Sequence, residues 1–102
     1  MQEFYEHITL EEAERLVSEN KDNKEFVVLD VRTPQELQGG VIGEPVNIDI
    51  YDPSFAAKIG ELDKEKTCLV YCRSGNRSKA AAGLMRQLGF KKIYEVDRGI
   101  MG

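Results

Sequence analysis

Apolar residues gather along this chain in short runs set between polar stretches that carry helix caps. EFVVLDV, residues 25–31, is an almost continuous apolar run of strand length and β-branched bias, the form of a parallel strand buried on both faces. TCLVYC at 67–72 has the same form, and VNIDI at 46–50 and KKIYEV at 91–96 read as further strands. Between them lie helix signals. Thr9 to Glu12 is a capping box that opens a helix through about Asn20. RTPQEL offers Thr33 as N-cap, Pro34 at N1 and Glu36 at N3. YDPSFAAKIGEL puts Asp52 and Pro53 at the cap and first turn of another helix. SKAAAGLMRQLG predicts a helix from Ser78, the candidate N-cap, to a close at Gly89. KDNKE reads as a polar turn, GGVIGEP as a loop and DKEK as a helix end. Strands alternating with helices predict an α/β fold, with a mostly parallel central sheet and helices on both faces. Ligands in such sheets bind outside the carboxyl ends of the strands.

Length narrows this to one compact domain over residues 1–102, with one core. A hydrophobic fraction of 41% and a charged fraction of 31% suit an ordinary globular protein. No apolar run approaches the ~20 residues of a membrane helix. The opening MQEFYEHITLEEAER is acidic and lacks the basic-then-apolar pattern of a signal peptide, so a cytoplasmic location is expected. Cys68 and Cys72 are too few for a disulfide scaffold. Four residues apart on one strand, their Cα atoms would be about 13 Å apart, beyond disulfide reach.

The net charge of −4 argues against nucleic acid as a partner, but its distribution says more. Residues 1–72 balance to −9 and residues 73–102 to +5, and the change of sign falls immediately after Cys72. Lys91 and Lys92 read as a solvated face. Arg73 and Arg77 read as a local positive field that attracts a small anion.

Cys72 ends a strand and opens CRSGNRS, a short loop leading into a helix. A free thiol has a pKa near ~8.5, which leaves about 3% thiolate at pH 7. Three features of the loop favour the thiolate: backbone amides that curl into an anion nest, the positive end of the following helix, and the charges of Arg73 and Arg77. Gly75 permits the positive φ that a tight cradle needs.

These residues carry a resemblance. The chain resembles the single-domain rhodaneses of the rhodanese-like sulfurtransferase family over nearly its whole length. LDVRTPQEL, VNI, VYCRSGNRSKAAAGLMRQLGF and IYEVDRGI fall in that family's order and spacing. The resemblance implies a rhodanese-like fold with about five strands, and Cys72 as a nucleophile that takes a sulfane sulfur from a small anionic donor such as thiosulfate or a persulfide. The sulfur then passes from a Cys72 persulfide to cyanide, a thiol or a protein acceptor. Arg73, Ser74, Gly75, Asn76 and Arg77 would form the substrate cradle, and no cofactor, metal, nucleic acid or membrane is implied. Phosphatases and arsenate reductases of related fold place five residues between cysteine and arginine, fitting a tetrahedral oxyanion; this chain has four. A non-catalytic interaction module is the alternative from another class, and the presence of Cys72 weighs against it.

The chain also departs from the family pattern. Val41 stands where a histidine is usual, Glu44 and Pro45 where glycine and alanine are common, and Arg98-Gly99 where a glycine pair is usual. Asp30 and Arg32 read as structural supports at a strand end, with Glu36 pairing with Arg32. Cys68 reads as a small core hydrophobe. His7, the only histidine, reads as part of an exposed lead-in, with no second ligand at a metal-binding spacing.

Overall fold

The computed structural model describes residues 3–101; Met1, Gln2 and Gly102, the outermost positions of the expected 1–102 domain, lie outside them. Along the chain run β1 (Phe4–Ile8), α1 (Leu10–Glu19), β2 (Phe26–Asp30), β3 (Val46–Asn47), α2 (Phe55–Gly60), β4 (Thr67–Tyr71), α3 (Asn76–Gln87) and β5 (Lys92–Val96). Two 3₁₀ turns, Pro34–Gly39 and Gly99–Met101, complete it. The five strands form one sheet, parallel throughout, in the order β1-β5-β4-β2-β3.

Helices cover both faces of the sheet. On one, α2 and α3 bury Phe55, Ile59, Ala81, Ala82 and Met85 with Cys68, Val70 and Ile93. On the other, α1 buries Ala13 with Val28, Leu69, Tyr71 and Val96. Burial on both sides explains why β2 and β4 read as apolar runs without alternation. Each fully buried side chain such as Leu29 or Leu69 contributes about 1.5–3 kcal/mol of transfer free energy. Thr9 and Glu12 form the capping box of α1: the Glu12 amide donates to Thr9 Oγ1 at 3.1 Å, and the Thr9 amide to the Glu12 carboxylate at 2.9 Å. At the end of α3 the amides of Gly89 and Phe90 donate to the carbonyls of Arg86 and Met85, the paired closure expected of a glycine at C′.

Four local expectations change. The N-terminal lead-in is an edge strand, β1, in register with β5 from Phe4 beside Lys92 to Ile8 beside Val96. Its polar residues hid it, because an edge strand needs only one partner and little burial. Residues 34–39 wind as a 3₁₀ turn rather than an α-helix. α2 starts at Phe55, and Asp52 instead folds the preceding turn by accepting the Ser54 amide at 2.8 Å. α3 starts at Asn76 with Gly75 as its cap, so Ser78 is not the N-cap but a buried residue of the first turn.

Candidate active site

The site lies where β4 ends beside the N-terminus of α3, at the carboxyl edge of the sheet. β4 ends at Tyr71, so Cys72 is the first residue of the loop. Its side chain is fully buried. Gly75 takes φ +101°, which turns the chain sharply enough to aim amides back at the sulfur. A Cβ at Gly75 would collide with the Asp97 carbonyl, so close approach and backbone conformation both demand glycine.

Cys72 Sγ accepts from the amides of Gly75 at 3.1 Å and Ser78 at 3.3 Å, and its thiol faces Ser78 Oγ at 3.5 Å. Burial alone raises a thiol's pKa. Here the hydroxyl and amide of Ser78, with the amides of Gly75 and Ser74, outweigh burial and hold the Cys72 thiol below its ordinary value. Cys68, four residues earlier in the core, has no such donors among the described residues, and burial pushes it up to about 12. Both cysteines are free.

The two arginines of the loop diverge. Arg77 turns sideways and grips Glu36 with both terminal nitrogens at 2.8 Å. Arg77 therefore holds the Glu36 carboxyl down to about 2, with help from the Thr33 amide and hydroxyl, while Glu36 pushes Arg77 upward. Glu36 thus pairs with Arg77 and not with Arg32, the partner expected from the sequence. The reason is distance through space: the 3₁₀ turn presents the carboxylate to α3. Arg77 brings less net charge to the sulfur than a free guanidinium would, because its partner carboxylate cancels much of the field. Arg73 is exposed, and its Nε donates to Met101 Sδ at 3.2 Å.

Asp30 and Arg32 form a buried pair at the end of β2, with Arg32 Nη2 2.7 Å from Asp30 Oδ2. Arg32 also donates to the carbonyls of Gly40, at 2.7 Å, and Glu36, at 3.3 Å, and so carries the loop that bears Glu36. Asn47 of β3 clamps the carbonyls of Asp30 and Arg32 at 3.0 and 2.9 Å. The Tyr71 hydroxyl accepts the Ile42 amide at 3.0 Å, next to the half-exposed Val41, and burial pushes its own pKa up. The second 3₁₀ turn rests on the cysteine loop: the amides of Ile100 and Met101 donate to the carbonyls of Cys72, at 2.9 Å, and Arg73, at 3.1 Å. Gly99, with φ +66°, opens that turn where any Cβ would strike those carbonyls, a reason for glycine at this place in DRG.

Two further residues touch the site that the pattern of motifs did not mark. Glu95 of β5 is fully buried and accepts the Ser78 hydroxyl at 2.7 Å. His7 of β1 lies 2.6 Å from the other oxygen of Glu95. The available signal was a carboxylate two residues from Ile93 in an apolar run, hence on the same inward face. His7 is not an isolated lead-in residue either, because strand pairing brings it, Glu95 and Asp97 within 4.8 Å of one another. Within this cluster His7 and Glu95 bond to each other at 2.6 Å, and Asp97 pairs with Lys79 at 3.3 Å.

Residues 9–102 match the profile of the rhodanese-like domain, and the chain belongs to that family. It is 38% identical over 73 residues to the thiosulfate sulfurtransferase GlpE of Pseudomonas syringae, covering 72% of this chain and 67% of that protein. It is also 38% identical over 84 residues to a tRNA uridine(34) hydroxylase of Cytophaga hutchinsonii, covering 79% of this chain but only 27% of that protein's length. A solved structure of a rhodanese-related protein from Thermoplasma volcanium matches 99% of this chain and 88% of its own, at 35% identity and a TM-score of 0.69.

Proposed function

We propose that this rhodanese-like chain is a sulfurtransferase in which Cys72 carries the sulfur. The observation that carries the reading is the pair of backbone amides that donate to Cys72 Sγ, from Gly75 in the loop and Ser78 in the first turn of α3, with the Ser78 hydroxyl 3.5 Å from the sulfur. Donors aimed at sulfur stabilise a thiolate, and a thiolate is the nucleophile that attacks a sulfane sulfur.

Thiosulfate enters as a dianion. The Cys72 thiolate attacks its outer sulfur, the S–S bond breaks, and sulfite departs with the electron pair. The same loop amides then face the terminal persulfide sulfur, which carries the negative charge. An acceptor thiolate or cyanide attacks that outer sulfur and returns Cys72 as thiolate. No cofactor or metal enters this sequence. Arg73, exposed at the rim, draws in the donor; Ser74, Gly75 and Asn76 supply cradle backbone; Arg77 braces the cradle through Glu36. Asp30, Arg32 and Ser78 support the loop and the sulfur. Names of relatives that include thiosulfate sulfurtransferase support the reaction class.

The test is mass spectrometry of the protein after incubation with thiosulfate, followed by transfer to cyanide. A gain of one sulfur atom on Cys72 that reductant removes, and its loss in Cys72→Ser, are the expected results. Turnover of aryl phosphates with no sulfur gain would point to the phosphatase chemistry of related folds. Neither activity would leave an interaction module. The likeness to a tRNA uridine(34) hydroxylase favours a second reading, a rhodanese-like unit serving tRNA modification. Hydroxylation of uridine in tRNA by the purified chain would support it.

A further inference from the structure

From Cys72 a single hydrogen-bonded chain runs across the sheet to the molecular surface. The thiol faces Ser78 Oγ at 3.5 Å, Ser78 Oγ donates to Glu95 Oε2 at 2.7 Å, and His7 Nδ1 lies 2.6 Å from Glu95 Oε1. Four elements build it: the loop after β4, the first turn of α3, and the paired strands β5 and β1, whose register sets His7 beside Glu95. Cys72, Ser78 and Glu95 are fully buried, whereas the His7 side chain is 48% exposed.

A buried carboxylate beside a buried thiolate would place two negative charges in a region of low dielectric. Directed hydrogen bonds offer a way out. With a thiol at Cys72, the chain reads S–H to Ser78 oxygen, and Ser78 O–H to carboxylate. Reversing both bonds gives a carboxylic acid donating to Ser78 oxygen and the Ser78 hydroxyl donating to thiolate. The buried cluster carries one negative charge in either arrangement.

We propose that Glu95 is the proton acceptor for Cys72, acting through the Ser78 hydroxyl, with His7 positioning it. The Cys72 S–H bond breaks as its proton joins Ser78 Oγ, and the Oγ–H bond breaks as that proton joins Glu95 Oε2. The electron pair stays on sulfur. His7 donates its Nδ1–H to Oε1 throughout and so leaves Oε2 to Ser78. The proton step stands on geometry alone; its use in forming the nucleophile rests on the sulfurtransferase reading above.

Other charged and polar groups face this chain. Tyr5 of β1 lies tilted against His7, with ring centroids 5.0 Å apart, and carries Arg86 of α3 over its ring at 4.6 Å. Asp97, just past β5, lies 4.0 Å from His7 and is held by Lys79 of α3. Gly75 O is a second acceptor for the Ser78 hydroxyl at 3.2 Å. None of these offers a second path from Ser78 to a proton acceptor inside the sheet.

Infrared difference spectra of the whole protein against pH read the S–H stretch of Cys72 and the C=O stretch of a protonated carboxyl separately. In the unaltered protein the Cys72 S–H should disappear in two steps, with a protonated-carboxyl band persisting between them. Cys72→Ser should lose that band at the lower step. Glu95→Gln should lack the band altogether and show one-step loss of S–H. His7→Ala, at a half-exposed position, should enlarge the band, because Glu95 loses a donor that favours its ionised form. Ser78→Ala should shrink it and move S–H loss to higher pH. A one-step loss in the unaltered protein with no carboxyl band would overturn the proposal, as would a band that survives Glu95→Gln. Should Glu95→Gln fail to fold, the unaltered protein, Cys72→Ser and His7→Ala decide. No sulfur donor is present, so failure here leaves the reaction class untouched, and a protein inactive in sulfur transfer can still pass.

Discussion

Glu36 and Arg77, 41 residues apart in the chain, meet in a two-pronged ion pair with both contacts at 2.8 Å. The pair fastens the loop after β2 to the first turn of α3, so the cysteine loop is held from the side by a part of the chain that never touches the sulfur. Both side chains are partly buried, Arg77 at 20% and Glu36 at 26% exposure, and the two-pronged geometry lifts the pair above the small contribution of an ordinary surface bridge.

Removing one partner should therefore cost about 1.5–3 kcal/mol, the range for hydrogen bonds to charged groups. Glu36→Gln and Arg77→Ala should each lower the melting temperature, and the double variant should cost less than the sum of the singles. The pH dependence has a fixed sign. Glu36 is held down to about 2 in the folded protein, below its ordinary carboxylate range. Its contribution is present above the unfolded value of about 4.3 and is lost as pH falls toward 2. Acid denaturation curves of Glu36→Gln should lack that part of the decline; identical acid profiles would remove the pair from the stability of the fold.

Cys72 and Cys68 are both shut off from solvent, so ionisation rather than exposure should separate their reactivity. Cys72 is held below the ordinary thiol range and Cys68 is pushed up to about 12. Near neutral pH a small alkylating reagent should modify Cys72 more than about a hundredfold faster than Cys68. Peptide mapping after timed alkylation checks this, and equal labelling of the two would contradict it.

Arg73 is exposed, and among the described residues its side chain donates only to the Met101 sulfur. A charge so placed acts on an incoming dianion more than on the fold. Arg73→Ala should raise KM for thiosulfate several-fold and flatten its dependence on ionic strength, with the melting temperature nearly unchanged. Unchanged KM and salt dependence would assign the basic stretch after Cys72 to the solvated surface.

Gly75 combines φ +101° with contact against the Asp97 carbonyl. Gly75→Ala should destabilise the protein by more than about 1 kcal/mol. It should also raise the pH at which Cys72 ionises, since the turn that presents the Gly75 and Ser78 amides would shift. Calorimetry and a thiolate absorbance titration read the two effects separately, and a variant as stable as the parent would refute the steric account.

Much of this protein was legible in one dimension because its signals are local. Unbroken apolar runs marked β2 and β4 as strands buried on both faces, and the Thr9 and Gly89 caps bounded α1 and α3. The four residues between Cys72 and Arg77 raised the expectation of an anion cradle, and the glycine among them does take positive φ. These features depend on backbone preference and hydrophobic period, which act over a few residues.

The rest was decided by which strands lie side by side. β1 is too polar to announce itself, and it exists because β5 offers a free edge. That pairing sets His7 against Glu95, and packing of α3 on the same face sets Ser78 between Glu95 and Cys72. Whether Arg77 points at the substrate or at Glu36 depends likewise on where the 3₁₀ turn of residues 34–39 comes to rest. Sequence position cannot settle such choices, because Coulombic and hydrogen-bond energies depend on separation in space, and chain distance carries no information about it until the sheet is assembled.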